Sequence, residues 1–327
     1  MKVLVTGANG FVGSHIVDRL VRLQIPTVAL LRPNGDRAFL TGQLANVELR
    51  TGRFDDAAAL DAALEGITLV IHCAGATNAR NREGFFAVNQ GVTRELVAAV
   101  NRRSAQIQRF LLVSSLAAAG PGTPMTPRTE NHAPAPVSDY GRSKLAAEQE
   151  VIQGSQTDWT IIRPPAVYGP RDREFLRLFK AAKSHLRPTF GGGKQALTLV
   201  FVQDLAAVIV AALTHPRASR EIFFAGSTEV VTTAELATGV AAAVDSWTMP
   251  LPLPNAVLWL ACHWAGLATR ITGKANVLSP QKWAELKAPG WVCEVSKLQR
   301  NLGCSCPTDL TEGLARTRDW YQENGWL

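Results

Sequence analysis

The sequence predicts an α/β fold, a doubly wound parallel sheet with a smaller, mostly helical C-terminal lobe. Three observations predict it. Apolar runs alternate with helical patterns through the first half of the 327 residues. A glycine triplet, Gly7, Gly10 and Gly13, separates the first apolar run from the first amphipathic stretch. A proline-rich interruption at 119–137 (Pro121, Pro124, Pro127, Pro134, Pro136) then falls where a parallel sheet's carboxyl edge is expected, the edge at which such sheets bind ligands.

The spacing predicts strands at Lys2–Thr6, Thr27–Arg32, Val47–Thr51, Leu69–Cys73, Phe110–Ser114 and Thr160–Arg163. Between them it predicts helices near Gly13–Leu23, Ala57–Leu64, Phe85–Arg103 and Asp139–Gln153. Alternation at this pitch implies right-handed crossovers and a sheet covered on both faces. Continuous apolar runs such as Phe110-Leu-Leu-Val113 suit strands buried on both faces. After Arg163 the alternation loosens. A helix is expected near Asp172–Ser184, a turn at Gly191–Gly193, a strand and helix over Leu197–Leu213 and a strand near Ile222–Phe224. The remainder is expected to be helix-rich, ending in a helix at Leu310–Asn324. The implied division is a first domain at 1–164, with 196–218 packing back onto it, and a substrate-binding lobe from 165–195 and 219–327.

The segment Val3-Leu4-Val5-Thr6-Gly7-Ala8-Asn9-Gly10-Phe11-Val12-Gly13 is a strand, a tight turn and a helix start. Such a junction aims bare backbone amides at an anion, and a dinucleotide pyrophosphate is the ligand it suits. Gly7, Asn9, Gly10, Phe11, Val12 and Gly13 are therefore candidate cofactor contacts.

A formal charge of +7, from 34 basic and 27 acidic residues, is dispersed and contains no basic run. It favours an anionic ligand and lacks the basic–aromatic interleaving of nucleic-acid binders. The five cysteines (Cys73, Cys262, Cys293, Cys304, Cys306) form no CxxC pair, so neither a disulfide framework nor a metal site is indicated. Met1-Lys2 leads directly into the first strand, which makes the cytoplasm the expected compartment, unless a membrane surface recruits the protein.

Ser246 to Thr269 contains no charged residue and holds Trp247, Trp259 and Trp264. Pro250, Pro252 and Pro254 leave only about fifteen residues for a helix, roughly 22 Å against a hydrocarbon core of roughly 30 Å. The segment is not expected to span a membrane. It is expected to be buried, to cover an apolar pocket or to touch a membrane peripherally through 247–268.

Tyr140-Gly141-Arg142-Ser143-Lys144 places a phenol and an ammonium one turn apart on one helix face. The ammonium is expected to lower the phenol's pKa toward neutrality, fitting it for general acid–base work. Ser114-Ser115 ends the 110–113 strand, and a serine there can hold a substrate oxygen while the tyrosine moves the proton.

These residues resemble the extended short-chain dehydrogenase/reductase family. The resemblance rests on Thr6-Gly-x-x-Gly-x-x-Gly13, Ser115 and Tyr140-x-x-x-Lys144. It continues through Arg163-Pro164-Pro165-Ala166-Val167-Tyr168-Gly169-Pro170 and Val200-Phe201-Val202-Gln203-Asp204-Leu205-Ala206. It implies a Rossmann sheet and a catalytic set in which Tyr140 moves the proton, Lys144 binds the nicotinamide ribose and Ser115 polarises the substrate oxygen. Ser114 is the neighbouring candidate. It further implies that His72, Ala74 and Gly75 lie against the cofactor ribose and phosphates, that Asn89 organises the site, and that Pro164 and Val167 meet the nicotinamide carboxamide. Homodimerisation is common in the resembled family.

NADP is favoured over NAD. An acidic side chain about twenty residues past the last glycine suits NAD, whereas this chain has Arg32 there, with Arg37 nearby, and a guanidinium suits a 2′-phosphate. Where the family has an aspartate facing adenine, Arg53 stands instead, with Asp55 as a candidate replacement. Ser115 is followed by Leu116-Ala-Ala-Ala119, without the acid that the family's dehydratases carry, so dehydration is disfavoured. The C-terminal half (Trp247–Ala268, Ile271-Thr-Gly-Lys274, Ala288-Pro-Gly-Trp291-Val-Cys293, Gly325-Trp326) resembles the branch of 3β-hydroxysteroid and sterol-carboxylate dehydrogenases and dihydroflavonol-type reductases. The expected reaction interconverts a secondary alcohol and a ketone on a hydrophobic, sterol-like or lipid-like small molecule. Two alternatives stay open: a nucleotide-sugar epimerase, with Arg171, Arg173 and Lys194 serving the diphosphate, and a non-catalytic cofactor-binding subunit.

Overall fold

The computed structural model describes residues 1–272 and 280–327; Gly273 and Lys274 of the tract above lie outside them. The strands run β1 (Val3–Thr6), β2 (Thr27–Leu31), β3 (Glu48–Thr51), β4 (Leu69–His72), β5 (Arg109–Val113), β6 (Asp158–Arg163) and β7 (Ala166–Tyr168). They continue with β8 (Leu186–Phe190), β9 (Ala196–Phe201), β10 (Glu221–Phe224), β11 (Val230–Thr232), β12 (Met249–Leu253) and β13 (Gly290–Trp291). Seven form the main sheet in the order β10-β6-β5-β4-β1-β2-β3, every neighbouring pair parallel. Strand order reverses between β1 and β4, the crevice at which open sheets of this kind take their ligands. In register, Thr6 stands beside Leu30 and His72, which brings the carboxyl ends of β1, β2 and β4 to one level.

Side chains alternate across this sheet. Val3 and Val5 join Ile16 and Leu20 of the helix Phe11–Arg22, and Leu205 and Ile209 of the helix Val202–Thr214, in one core. Leu4 faces the other way, into a core with Val97, Phe110, Ala147 and Val151. The helix predicted over Phe85–Arg103 is a composite of Arg82–Phe86, one π turn at Ala87–Gly91 and Val92–Asn101. Single π turns of this kind occur often at functional sites.

The smaller elements depart most from expectation. Strand β9 belongs to a second sheet with β7, β11 and β13, although the helix that follows it packs on the first. Pro250 and Pro252 lie in β12, which pairs in parallel with β8 alone, an edge arrangement that tolerates residues lacking an amide proton. The apolar helix after it, Asn255–Thr272, is eighteen residues long rather than fifteen. Among the described residues no helix is long and apolar enough to cross a membrane.

One buried ion pair fixes the helix Asp139–Gly154 to the sheet. Glu148, fully buried, receives Arg163 Nε at 2.9 Å and Nη2 at 2.5 Å, while Ser114 Oγ donates to the same carboxylate at 2.5 Å. The Arg163 guanidinium also lies over the Phe224 ring. Removing one member of such a pair strands a charge in the interior. Glu148→Ala should therefore lower unfolding free energy by about 3–5 kcal/mol; urea unfolding that leaves the midpoint where it was would show that the pair does not hold the helix.

Candidate active site

At the end of β1 the chain turns under tight constraint. Gly7 has φ +66°, and a Cβ there would lie 2.7 Å from Ala74 N. A Cβ on Gly13 would come within 2.0 Å of Gly7 O. The helix beginning at Phe11 has Gly10 as N-cap, no side chain capping it and no acid in its first turn. Its positive end therefore meets whatever lies over Gly10, which is exposed. This cradle fits a dinucleotide pyrophosphate, with Gly10, Phe11, Val12 and Gly13 at the junction. Asn9 Nδ2 donates to Asp36 O at 2.8 Å, tying the turn after β2 to the turn after β1. Arg32, directly after β2, and Arg37 farther along are both exposed. Asp55 is held by Arg53 in a forked pair at 2.9 and 2.6 Å, which keeps its carboxyl below the usual range.

The strand end at β4 is set by a directional chain of hydrogen bonds. Ala74 N donates to Thr6 Oγ1, which pairs with His72 Nδ1 at 2.6 Å; His72 Nε2 pairs with Thr93 Oγ1 at 3.0 Å, and Thr93 donates to Asn89 O. Because Thr93 spends its proton on Asn89, the network assigns His72 a proton on Nε2. His72 is thus a core residue that shapes the backbone at Ala74. Asn89, in the π turn, accepts from Ala76 N at 2.8 Å and donates to Ala76 O and Ser143 Oγ. It also packs on Gly75, where a Cβ would sit 3.0 Å from its Oδ1. Asn89 thereby joins the β4 edge to the helix that carries Tyr140.

The three predicted catalytic side chains come together at the carboxyl ends of β4 and β5. Ser115 caps the short helix Leu116–Ala119, accepting from Ala117 N at 3.1 Å, and its hydroxyl lies beside the half-buried Tyr140 phenol. Lys144 is buried, with Nζ donating to Val113 O at 2.8 Å. Ser114 is not equivalent to its neighbour, since its hydroxyl faces Glu148 beneath the site. Pro164 is buried and accepts from Leu116 N, while the partly buried Val167 pairs with Val200 of β9.

One expectation is overturned. Tyr140 is not acidified: burial pushes its phenol up to about 12, opposed by the Ser115 hydrogen bond and assisted by the charges of Glu285 and Cys73. Lys144 acts instead on His72 and Cys73, and burial lowers its own pKa.

The sequence reading missed the supporting residues. Ser138 caps the Tyr140 helix, accepting from Gly141 N and donating to Glu285 Oε1 at 2.8 Å. The backbone of Glu285 is in turn gripped by Gln195 Nε2 and Trp291 Nε1. A serine directly before a helix was a legible cap signal; Glu285, 147 residues from its partner, had none.

Burial holds His72 neutral, lowering it to about 3, and His15 to about 4. The unfolded chain takes up these protons near pH 6.5. Between those values the unfolded state binds more protons, so stability is full above about pH 6.5 and falls as pH drops toward 3. Urea midpoints should decline through that window. His72→Gln should flatten part of the slope, and a variant slope equal to wild type would assign the titration elsewhere.

Comparison with known proteins agrees with this architecture. Residues 3–226 match the model of the NAD dependent epimerase/dehydratase family. Ceramide reductase of Caulobacter vibrioides is 30% identical over 326 residues, 99% of this chain and 96% of that protein. UDP-glucose 4-epimerase of Vibrio cholerae is 27% identical, covering 96% of this chain and 94% of that protein. The structure of UDP-glucuronic acid 4-epimerase from Bacillus cereus superposes with a TM-score of 0.81 at 21% identity, over 99% of this chain and all of that one. The protein is thus a member of the NAD dependent epimerase/dehydratase family, an enzyme of the short-chain dehydrogenase/reductase type.

Proposed function

We propose that the protein is an NADP-dependent reductase of a hydrophobic, lipid-like ketone, with Ser115, Tyr140 and Lys144 as its catalytic residues. The observation that carries the reading is the Tyr140 phenol beside the Ser115 hydroxyl, with Lys144 buried one turn along the same helix. A phenol held protonated at neutral pH is a proton donor, suited to a carbonyl oxygen that is gaining negative charge. Ser115, anchored by Ala117 N, would turn its proton from Tyr140 to that oxygen when the ketone is bound. Lys144 lies near Gly75, where the ribose of the nucleotide is expected, and the bound nicotinamide would supply the hydride.

Residues 1–164, with 196–218, would hold the cofactor, and 165–195 with 219–327 the substrate. Arg32, exposed directly after β2, supports the preference for a 2′-phosphate. The ceramide reductase relative and the tryptophan-rich 247–268 segment support a lipid-like substrate. The epimerase relatives favour a nucleotide sugar, but two of its candidate contacts are engaged elsewhere. Arg171 lies 2.8 Å from Asp18 and over the Phe39 ring, and Arg173 lies over Trp326.

Purified protein should oxidise NADPH in the presence of long-chain or ring ketones, followed by absorbance. Tyr140→Phe should cut turnover by at least about a hundredfold while leaving cofactor affinity nearly intact. Unchanged turnover removes Tyr140 from the mechanism. Arg32→Asp should reverse the NADP preference, and equal affinity for both nucleotides before and after would make Arg32 a surface residue only.

A further inference from the structure

We propose that the face formed by β12 and the helix Asn255–Thr272 docks on an anionic lipid bilayer. The helix turns Leu258 and Cys262 inward and leaves Val257, Trp259, Leu260 and Trp264 exposed, Trp264 by 63%. Trp247, 73% exposed, and Met249 precede the helix along the chain, at and just before β12. Large apolar side chains gathered on one face mark a contact surface, whereas single exposed ones do not. Tryptophans in particular favour the boundary between headgroups and acyl chains.

The charges near this face are mostly basic: residues 246–284 contain neither aspartate nor glutamate, while exposed Asp245 stands two residues before Trp247 and Lys282 pairs with Glu285 at 3.0 Å. Strand β8, paired with β12, contributes Arg187 opposite Pro250. The helix before it, Leu176–Lys183, carries exposed Lys180 and Lys183 in its last turn. His185 stacks on Trp247 at 4.2 Å, joining that basic end to the apolar face. Basic side chains bordering an apolar, tryptophan-bearing surface match anionic headgroups over a hydrocarbon layer. A second copy of the chain would instead bring two basic borders together. The helix is too short and polar to span, so the contact lies in the interface plane.

This face connects to the candidate site. Gly266 packs on Pro280, where a Cβ would lie 2.8 Å from the proline ring. The helix Pro280–Leu286 then reaches the Tyr140 helix through Glu285 and Ser138. Docking would therefore present the substrate lobe to lipid. That use rests on the lipid-like substrate proposed above; the docking rests on the surface alone.

The test is co-sedimentation of the full chain with phosphatidylcholine vesicles, with and without phosphatidylglycerol. Wild type should bind the anionic vesicles, release with added salt, and bind the neutral ones at least about tenfold more weakly. The double variant Trp259→Ala/Trp264→Ala should lose about tenfold in binding to anionic vesicles. Absence of wild-type binding, or equal binding by the double variant, overturns the proposal. So does a dimer in sedimentation velocity that the double variant abolishes while wild type ignores vesicles. Tyr140→Phe should bind vesicles as wild type does while losing turnover, so failure of docking and failure of the chemistry are read separately.

Discussion

The candidate site depends on a charge taken out of water. Glu148 and Arg163 sit in the interior at 0% and 2% exposure, where an isolated ion of either sign is strongly disfavoured. Their forked pairing, completed by Ser114, leaves few lone pairs unmet. Glu148 belongs to the helix that carries Tyr140 and Lys144, Arg163 ends β6, and Ser114 directly precedes Ser115. One electrostatic contact thereby fixes the relative placement of all three proposed catalytic side chains. A hydrophobic contact of similar area is less directional; the fork admits essentially one rotation of the helix about its axis.

The upper surface of the site leaves no room for a side chain at Gly7 or Gly13. The turn after β1 touches the turn after β4 through backbone atoms, so the two loops behave as one surface. Asn89 extends the same surface to the Tyr140 helix, because its amide both accepts from and donates to Ala76 while donating also to Ser143. The phenol of Tyr140 is the outcome of this enclosure. Burial acts on it more strongly than any neighbouring charge, and the group is left as a proton donor.

Much of this was legible in the residues. The six leading strands of the main sheet follow from apolar runs, and their limits shift by a residue or two. The glycine spacing located the cradle, and the tyrosine–lysine spacing located the helix that turns both side chains to one face. What escaped were features with no local period. The short strands β7, β8, β11, β12 and β13 are held by pairing partners distant in sequence, and the prolines of β12 read as helix breakers before they could be recognised as edge-strand residues. Glu148 looked like one polar position on a helix, and Arg163 like the end of a strand, because nothing in either neighbourhood announces the other. The direction of the tyrosine shift was missed for a related reason. Spacing shows which side chains are neighbours along a helix, but the depth at which that helix is buried emerges only from the assembled molecule.

The chain of donors from Ala74 through Thr6, His72 and Thr93 to Asn89 has a bearing on how this protein can diverge. Every link gives its proton in the same sense, so exchanging one member for a group of opposite polarity leaves a buried neighbour unmatched. Substitutions at positions 6, 72 and 93 are therefore expected to be inherited together, as a set, and intermediates carrying only one of them should be purged.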